Sequence, residues 1–186
     1  MKEKLFFPFL ILVLLVFPGC GGVAPIMGEK PPIPLQKANQ QAVLVENEGL
    51  QVVMEDAKDA RDFYRGGVQQ KAQAEKRFQE KTYPEALKFY QSSNDFFIKL
   101  FQYLNEDTAE YNLFEGTDIL FFPNLLMADN CLKMGLIQRE TGHEASAQGS
   151  WKRAQSSVQK SLQSEKTEWG LSLEKEVSGL LATKKN

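Results

Sequence analysis

Apolar residues recur every three or four positions along most of the chain after Pro34, which is the spacing of one face of an α-helix. The first such stripe runs from Leu35 to Phe63 and predicts one long amphipathic helix. Gly66 and Gly67 are expected to end this helix, because glycine takes the left-handed conformation of a helix stop without a steric penalty. Apolar–polar alternation is absent and β-branched residues are few, so the pattern predicts an all-α fold.

The remaining pattern divides into shorter helices and brings the predicted total to about seven. Pro84 suits the first turn of a helix, whereas Pro123 is expected to stop the helix before it. In chain order, the predicted helices after the first run from Val68 to about Lys81, from Pro84 to Leu104, through Leu113 and Leu120, from Asn124 to near Gly142, from Glu144 to about Lys166, and from Trp169 to Leu181.

Small and aromatic residues recur with the same spacing in two of the predicted helix pairs. In both, a small residue precedes an alanine by twelve positions, an aromatic follows that alanine by four, and another small residue lies three further on. The first set is Ala74, Ala86, Tyr90 and Ser93, with Phe78 and Tyr83 between them; the second is Gly135, Ala147, Trp151 and Ala154, with Gly142 between them. This pattern resembles the tetratricopeptide repeat.

The resemblance implies a bundle or short solenoid of antiparallel helix pairs, in which small residues let two helices approach and aromatics fill the gap. Two features depart from the family. Lys81 stands where the first unit would have its turn glycine, and Ala86 and Ala147 are 61 residues apart, whereas contiguous repeats are about 34 apart. A plain antiparallel bundle is the alternative, since small and aromatic residues recur wherever helices pack closely.

The first twenty residues have the pattern of a cleaved leader. The apolar run from Leu5 to Phe17 follows a basic start and is shorter than the roughly twenty residues that a membrane-spanning helix needs. The sequence Phe17-Pro18-Gly19-Cys20 then resembles the lipobox of bacterial lipoproteins, although Pro18 departs from the usual Ala or Ser. The resemblance implies a signal peptide at 1–19 and an acylated Cys20, whose acyl chains would attach the protein stably to a membrane. An uncleaved anchor, or an ordinary leader with a chance cysteine, is the alternative.

Residues 20–34 predict a spacer between this anchor and a helical domain at 35–186. The segment after Cys20 contains three glycines and four prolines, a composition that favours an extended, semi-rigid chain. In some Gram-negative species, an Asp directly after the acylated cysteine is associated with retention in the inner membrane, but this chain has Gly21 at that position. We therefore expect the domain to be held at the outer membrane, facing the periplasm.

The charge balance and the cysteine content limit the classes of partner that we expect for this chain. The chain carries 22 basic and 24 acidic residues, and this mildly acidic balance argues against nucleic acid, which requires a basic patch. Cys131 lies in an apolar helical stretch and is expected to be a small core residue rather than a nucleophile. The expected partners are a membrane, through the lipid anchor, and an envelope protein.

The sequence offers little catalytic chemistry. His143 is the one histidine; it follows Gly142 in a predicted turn and is expected to be an exposed loop residue rather than a metal ligand. Neither a nucleophile elbow, nor a phosphate-binding loop, nor a dinucleotide fingerprint occurs. The clustered carboxylates at 55–59 and 106–110 are typical of solvated helix surfaces. We expect no enzymatic activity, no metal and no cofactor.

Two functions fit these observations. The repeat resemblance implies protein binding on the face made by the first helix of each pair, with Lys71, Glu75 and Lys133 as candidate contacts, and hence a membrane-anchored adaptor or assembly factor. Phe121 and Phe122, just before a predicted helix start, are expected to be exposed to a partner. The alternative is a lipoprotein that binds a small apolar ligand or assists a transport system, with the aromatics of the central region lining a pocket.

Overall fold

The amphipathic stretches of the sequence form helices, and the computed structural model describes them over residues 58–104 and 121–183. These residues contain no strand, which confirms the all-α class. Five helices lie in the described residues: α1, Lys58–Gln79; α2, Tyr83–Tyr103; α3, Phe121–Glu140; α4, Glu144–Ser164; and α5, Glu168–Ala182. The predicted total of seven is not confirmed. The leader, Cys20, the spacer, most of the first predicted helix, and the helix predicted through Leu113 and Leu120 lie outside the described residues.

Helix α1 continues through Gly66 and Gly67, so the prediction that these glycines end a helix is wrong. A Cβ atom on Gly67 would lie 2.5 Å from the ring of Phe97 in α2, and one on Gly66 would lie equally close to the ring of Phe96. Glycine inside a helix costs about 1 kcal/mol relative to alanine. Burial of an aromatic side chain contributes about 2 kcal/mol, so the close approach of α2 offsets this cost.

Helix α3 begins at Phe121, two residues before Pro123, so the predicted start of this helix at Asn124 is wrong. A proline in the first helical turn removes an N–H group that has no partner within the helix, and therefore does not interrupt it. The helix start accordingly lies three residues earlier than Asn124, and it carries Phe122 and Pro123 into the interior.

The helices pack in pairs, α1 with α2 and α3 with α4, through two turns of the same geometry. Each turn contains one residue in the left-handed conformation, Lys81 at φ 58° and Gly142 at φ 81°. Each turn then closes with the hydrogen bond of a glycine-type helix end. The residue after the left-handed one donates its N–H to the carbonyl five positions earlier, Thr82 to Arg77 at 3.0 Å and His143 to Gln138 at 2.7 Å.

The two pairs also share the positions at which their helices touch. Residues 61 apart in sequence occupy equivalent places: Ala74 and Gly135, Ala86 and Ala147, Tyr90 and Trp151, Ser93 and Ala154, all of them buried. The indole of Trp151 lies directly against Gly135, where no Cβ atom would fit. The helix pairs are therefore built on one common spacing.

Helix α3 is the central element of the described bundle. It contacts α2, α4 and α5, and most of its residues are buried on every side, as expected for a helix that is apolar around its circumference. Helix α5 packs on α4 and α3 through Trp169, Leu173 and Val177. Its outer face carries exposed Lys175 and Glu176.

The buried apolar residues form two separate clusters. The larger contains Phe97, Leu125 and Trp151, and the smaller, near the two turns, contains Tyr90 and Ile137 together with three further residues. Along α1, α2 and α3, buried polar side chains lie between members of the two clusters. These polar residues separate one apolar region from the other.

Candidate functional site

Lys71 lies at the junction of the two helix pairs. Its side chain is 6% exposed and its Nζ donates three hydrogen bonds, to Asp129 Oδ2 at 2.5 Å, Glu75 Oε1 at 2.9 Å and Asn130 Oδ1 at 3.2 Å. Asp129 is fully buried, whereas the Glu75 side chain is 28% exposed. An ammonium group has three hydrogens to donate, and all three reach acceptors here. This pairing satisfies a charge that would otherwise be costly to bury.

The hydrogen bonds continue from Asn130 into α2 and back to α1. Asn130 Nδ2 donates to Ser93 Oγ and to Asn94 Oδ1, both at 2.9 Å. Ser93 Oγ in turn donates to the backbone carbonyl of Gly67 at 2.8 Å. The resulting network joins three helices and is called here the polar layer: Lys71, Ser93, Asn94, Asp129 and Asn130.

The surroundings of Lys71 keep it charged. Burial by itself lowers the pKa of Lys71, but the negative charges of Asp129 and Glu75, with their hydrogen bonds, outweigh this effect and leave the pKa above its ordinary value. Tyr90 lies beside it, with Lys71 Nζ 5.8 Å from the centroid of the Tyr90 ring. Burial and the nearby carboxylates raise the pKa of Tyr90, so this phenol is neutral at physiological pH. The polar layer is therefore suited to ion pairing rather than to proton transfer.

An aromatic patch lies beside the smaller apolar cluster, at the end of the bundle that carries both turns. Lys133 Nζ lies 5.0 Å from the centroid of the Phe78 ring, and the rings of Phe78 and Tyr83 are 6.2 Å apart. A hydrogen bond to Glu140 raises the pKa of Tyr83 and links α2 to the end of α3. We call Phe78, Tyr83, Lys133 and Glu140 the turn-end surface. Half-buried aromatics bordered by both charge signs are suited to contact with protein side chains.

Comparison with protein families, curated proteins and solved structures found no match. The geometry of the described residues is therefore the basis for interpreting the site. Within 58–104 and 121–183, no group of three His, Cys, Asp or Glu side chains is placed to hold a metal ion. In the same residues, no helix combines the length and apolar character needed to cross a bilayer.

The structure separates the predicted partner contacts into buried and accessible residues. Lys71 faces the interior and is engaged by three acceptors, so in this conformation it offers no surface to a partner. Glu75 is partly exposed beside it. Lys133 is half-buried on the turn-end surface. The structure does not bring Lys71 and Lys133 to one common site.

The two phenylalanines at the start of α3 differ from the expectation of an exposed pair. Phe122 is 3% exposed and belongs to the larger apolar cluster, so the prediction that it is exposed is wrong. It is buried because the helix begins before it rather than after it. The Phe121 side chain lies outside the described part of the structure, and so does Cys20.

The single cysteine and the single histidine of the described residues lie in the environments that were predicted from the sequence. Cys131 is 3% exposed, which confirms that it is a core residue. Burial raises the pKa of its thiol, although Arg153 nearby acts in the opposite direction, so the thiol is not activated as a nucleophile. His143 is exposed just before α4, with Nδ1 3.1 Å from Thr141 Oγ1, which confirms the exposed loop position.

Most of the polar layer was missed by reasoning from sequence. Ser93 was recognised only as a small residue of the repeat pattern, and Asp129 and Asn130 were not singled out. A signal was nevertheless present, because Asp129 and Asn130 interrupt the otherwise apolar run from Leu125 to Leu132. A carboxylate and an amide on an apolar helix face require buried partners. The partner Lys71 lies 58 residues earlier, which no local pattern indicates.

Proposed function

We propose that this chain is a lipoprotein of the bacterial cell envelope whose helical domain binds a protein partner, as an adaptor or assembly factor. The observation that carries the proposal is the repetition of one helix-pair arrangement, with the same turn and the same contact positions 61 residues apart. Stacked helix pairs build extended surfaces from several helices at once, and proteins with such repeats use these surfaces for binding. The resemblance of the same positions to tetratricopeptide repeats supports this interpretation.

The anchoring half of the proposal is supported by the leader. A short apolar run that ends in Phe17-Pro18-Gly19-Cys20 fits acylation of Cys20. The Pro- and Gly-rich residues that follow would hold the helical domain away from the bilayer. Attachment to the outer membrane, facing the periplasm, is the location that best fits Gly21 after the cysteine.

We place the partner contact at the turn-end surface and the adjacent Glu75. Lys133 covers one side of the Phe78 ring and remains half-accessible, which leaves an amphipathic surface that a partner helix or loop could bury. Lys71 acts indirectly, by orienting Glu75 through their 2.9 Å ion pair.

Binding of a small apolar ligand is the second candidate and is less well supported. Many aromatics that could line a pocket instead pack against other side chains. Phe97 is fully buried with its ring centroid 6.1 Å from that of Tyr64, and Phe122 lies in the same apolar cluster.

The proposal is tested by site-specific photo-crosslinking in intact cells. A photoreactive amino acid replaces Lys133 in the full chain, and a matched variant carries it at Lys175 on the exposed face of α5. We expect one discrete crosslinked protein from position 133 and none from position 175, with the crosslink reduced at least tenfold by Cys20→Ser. Mass spectrometry of the N-terminal peptide checks acylation of Cys20 separately. An acylated protein that yields no crosslink from position 133 would refute the binding surface but not the anchor.

A further inference from the structure

The described bundle contains two comparable interfaces at which a helix pair meets the helix that follows it, and we call these interfaces seams. The polar layer occupies only one of them. In the first seam α1 and α2 meet α3, and in the second α3 and α4 meet α5. The counterparts of Lys71 and Ser93 in the second pair, 61 residues later, are Leu132 and Ala154. Both belong to the larger apolar cluster together with Leu173 of α5. Buried charge is therefore not required by this helix arrangement.

Apolar contacts on their own specify poorly how far one helix is shifted along another. The hydrophobic effect is non-directional and depends mainly on the area removed from water. Apolar clusters lie on both sides of the polar layer. A slide of α3 by one turn, about 5.4 Å, would place apolar residues against apolar residues again.

The same slide would separate Lys71 from its two acceptors on α3, Asp129 and Asn130. One turn before Asp129 and Asn130, α3 carries Leu125 and Leu126, which offer no side-chain acceptor. One turn after them it carries Lys133 and Met134, a second positive charge and a weak acceptor. In both cases Lys71 would keep only Glu75 of its own helix and would lose its fully buried carboxylate, Asp129, an arrangement that is disfavoured for a buried ammonium group.

We propose that the Lys71–Asp129 ion pair of the polar layer fixes the axial register in which α3 docks against α1 and α2. A single register satisfies the hydrogen bonds of Lys71, Ser93 and Asn130 together. Burying an ion pair adds little stability compared with an apolar pair of similar size. The layer thus selects one docking arrangement among several that have similar apolar contacts, as a buried polar residue does in coiled coils.

The test replaces the ion pair by apolar residues and counts the docking arrangements. The full chain in detergent micelles, labelled with nitrogen-15, is compared with K71M/D129L by amide NMR. We expect one resonance for each α3 amide in the unaltered protein, and two or more, or severe broadening, for α3 amides in the variant, with helix content by circular dichroism unchanged. The control variant R77M/E85L removes an ion pair that is 34% and 55% exposed and is expected to keep one resonance for each amide.

A folded K71M/D129L protein with one sharp resonance for each α3 amide would overturn the proposal, because the register would then be set without the ion pair. If K71M/D129L does not fold, K71M/D129N decides the question, since it keeps the shape of residue 129 while removing both charges. Multiple α3 resonances in that variant support the proposal, and a single set overturns it.

Discussion

The two seams of the bundle differ in chemistry, although the two helix pairs share the positions at which their helices touch. In the first seam, Lys71 pairs with Asp129 inside a hydrogen-bonded layer. In the second, the counterpart of Lys71 is Leu132, packed in the larger apolar cluster. Helix approach within each pair is set by small residues such as Ala86 and Ala147, which are alike in both pairs. The comparison shows that the contact positions define the architecture, whereas the seam residues are free to differ.

Because of this difference, the two seams contribute to stability in different ways. The apolar seam buries area, and its contribution grows with the area removed from water. The polar seam contributes directional bonds whose loss leaves a charge unpaired. We therefore expect the stability change caused by a substitution in the polar seam to depend strongly on which interaction partner remains. In the apolar seam, the stability change should depend mainly on the change in side-chain volume.

The largest expected effect comes from removing the cation of the polar seam. Lys71→Met leaves Asp129 buried without its ion-pair partner, and we expect the free energy of unfolding to fall by about 4 kcal/mol, as for other broken buried ion pairs. The matched change in the other seam, Leu132→Met, keeps the apolar volume and is expected to cost less than about 1.5 kcal/mol. Urea denaturation followed by circular dichroism measures both.

Equal losses in these two variants would show that residue volume, and not the ion pair, determines stability at both positions. A loss for K71M that is restored in K71M/D129L is the expected signature of a buried carboxylate that has lost the Lys71 charge, since replacing both residues removes the buried negative charge as well.

A smaller effect is expected where α2 touches α1 at Gly67. A Cβ atom there would lie 2.5 Å from the Phe97 ring, so Gly67→Ala forces the two helices apart and is expected to lower the free energy of unfolding by about 2 kcal/mol. Gly149 in α4 is the control, because a Cβ atom there meets nothing within 4 Å. Gly149→Ala is expected to raise stability by about 0.5 to 1 kcal/mol through helix propensity. A Gly67→Ala protein as stable as the unaltered chain in thermal or urea unfolding would contradict the close packing.

The first pair should also be the more sensitive to alkaline pH, because it buries ionisable side chains where the second pair has Leu125, Leu132 and Trp151. Within the described residues the Tyr64 hydroxyl has no hydrogen-bond partner, and burial raises the pKa of Tyr64. Above pH 10 the unfolded chain loses the phenolic proton while the folded protein keeps it. This contribution to stability is therefore complete below pH 10 and declines as pH rises.

The measurement is the free energy of unfolding at pH 9, 10 and 11 for the unaltered protein and for Tyr64→Phe. We expect the unaltered protein to lose about 1 kcal/mol more than the variant between pH 10 and 11, which is less than one full proton because about half of the unfolded phenol is already ionised at pH 10. Identical pH profiles would mean that the phenol reaches water in the folded state.

Local sequence patterns were sufficient for the elements that depend on local physics. The all-α class, the start of α2 at Pro84 and the stop at Gly142 follow from periodicity, proline and glycine within one or two turns. Burial of Cys131 and exposure of His143 follow from the same patterns. Each of these depends on neighbours a few positions away.

The errors at Gly66, Gly67 and Lys71 involve residues whose role depends on a distant partner. Gly66 and Gly67 have the local signature of a helix end, but the rings of α2, some 30 residues later, make glycine necessary inside the helix. The repeat resemblance placed Lys71 among the exposed partner contacts, but its side chain is buried because it pairs with Asp129. The buried Phe122 was misplaced because the effect of Pro123 depends on its position in the helix. Tertiary packing overrides local preference at the two glycines and at Lys71, whereas the error at Phe122 concerns where the helix begins.

The smallest predicted effect compares the two turns, and it depends on backbone conformation alone. Lys81 holds φ at 58°, in the left-handed region that costs a residue with a side chain about 1 kcal/mol, whereas its counterpart Gly142 takes φ 81° without that cost. We expect Lys81→Gly to raise the free energy of unfolding by up to about 1 kcal/mol, and Gly142→Ala to lower it by a similar amount. A Cβ atom at Gly142 meets nothing within 4 Å, so packing does not complicate the comparison, which thermal unfolding of both variants would check.

A stabilised Lys81→Gly protein together with a destabilised Gly142→Ala protein would show that the two turns are energetically equivalent and differ only in whether glycine occupies the left-handed position. No gain at position 81 would show instead that the lysine charge, near the carboxyl end of α1, offsets the strain through its attraction to the helix dipole.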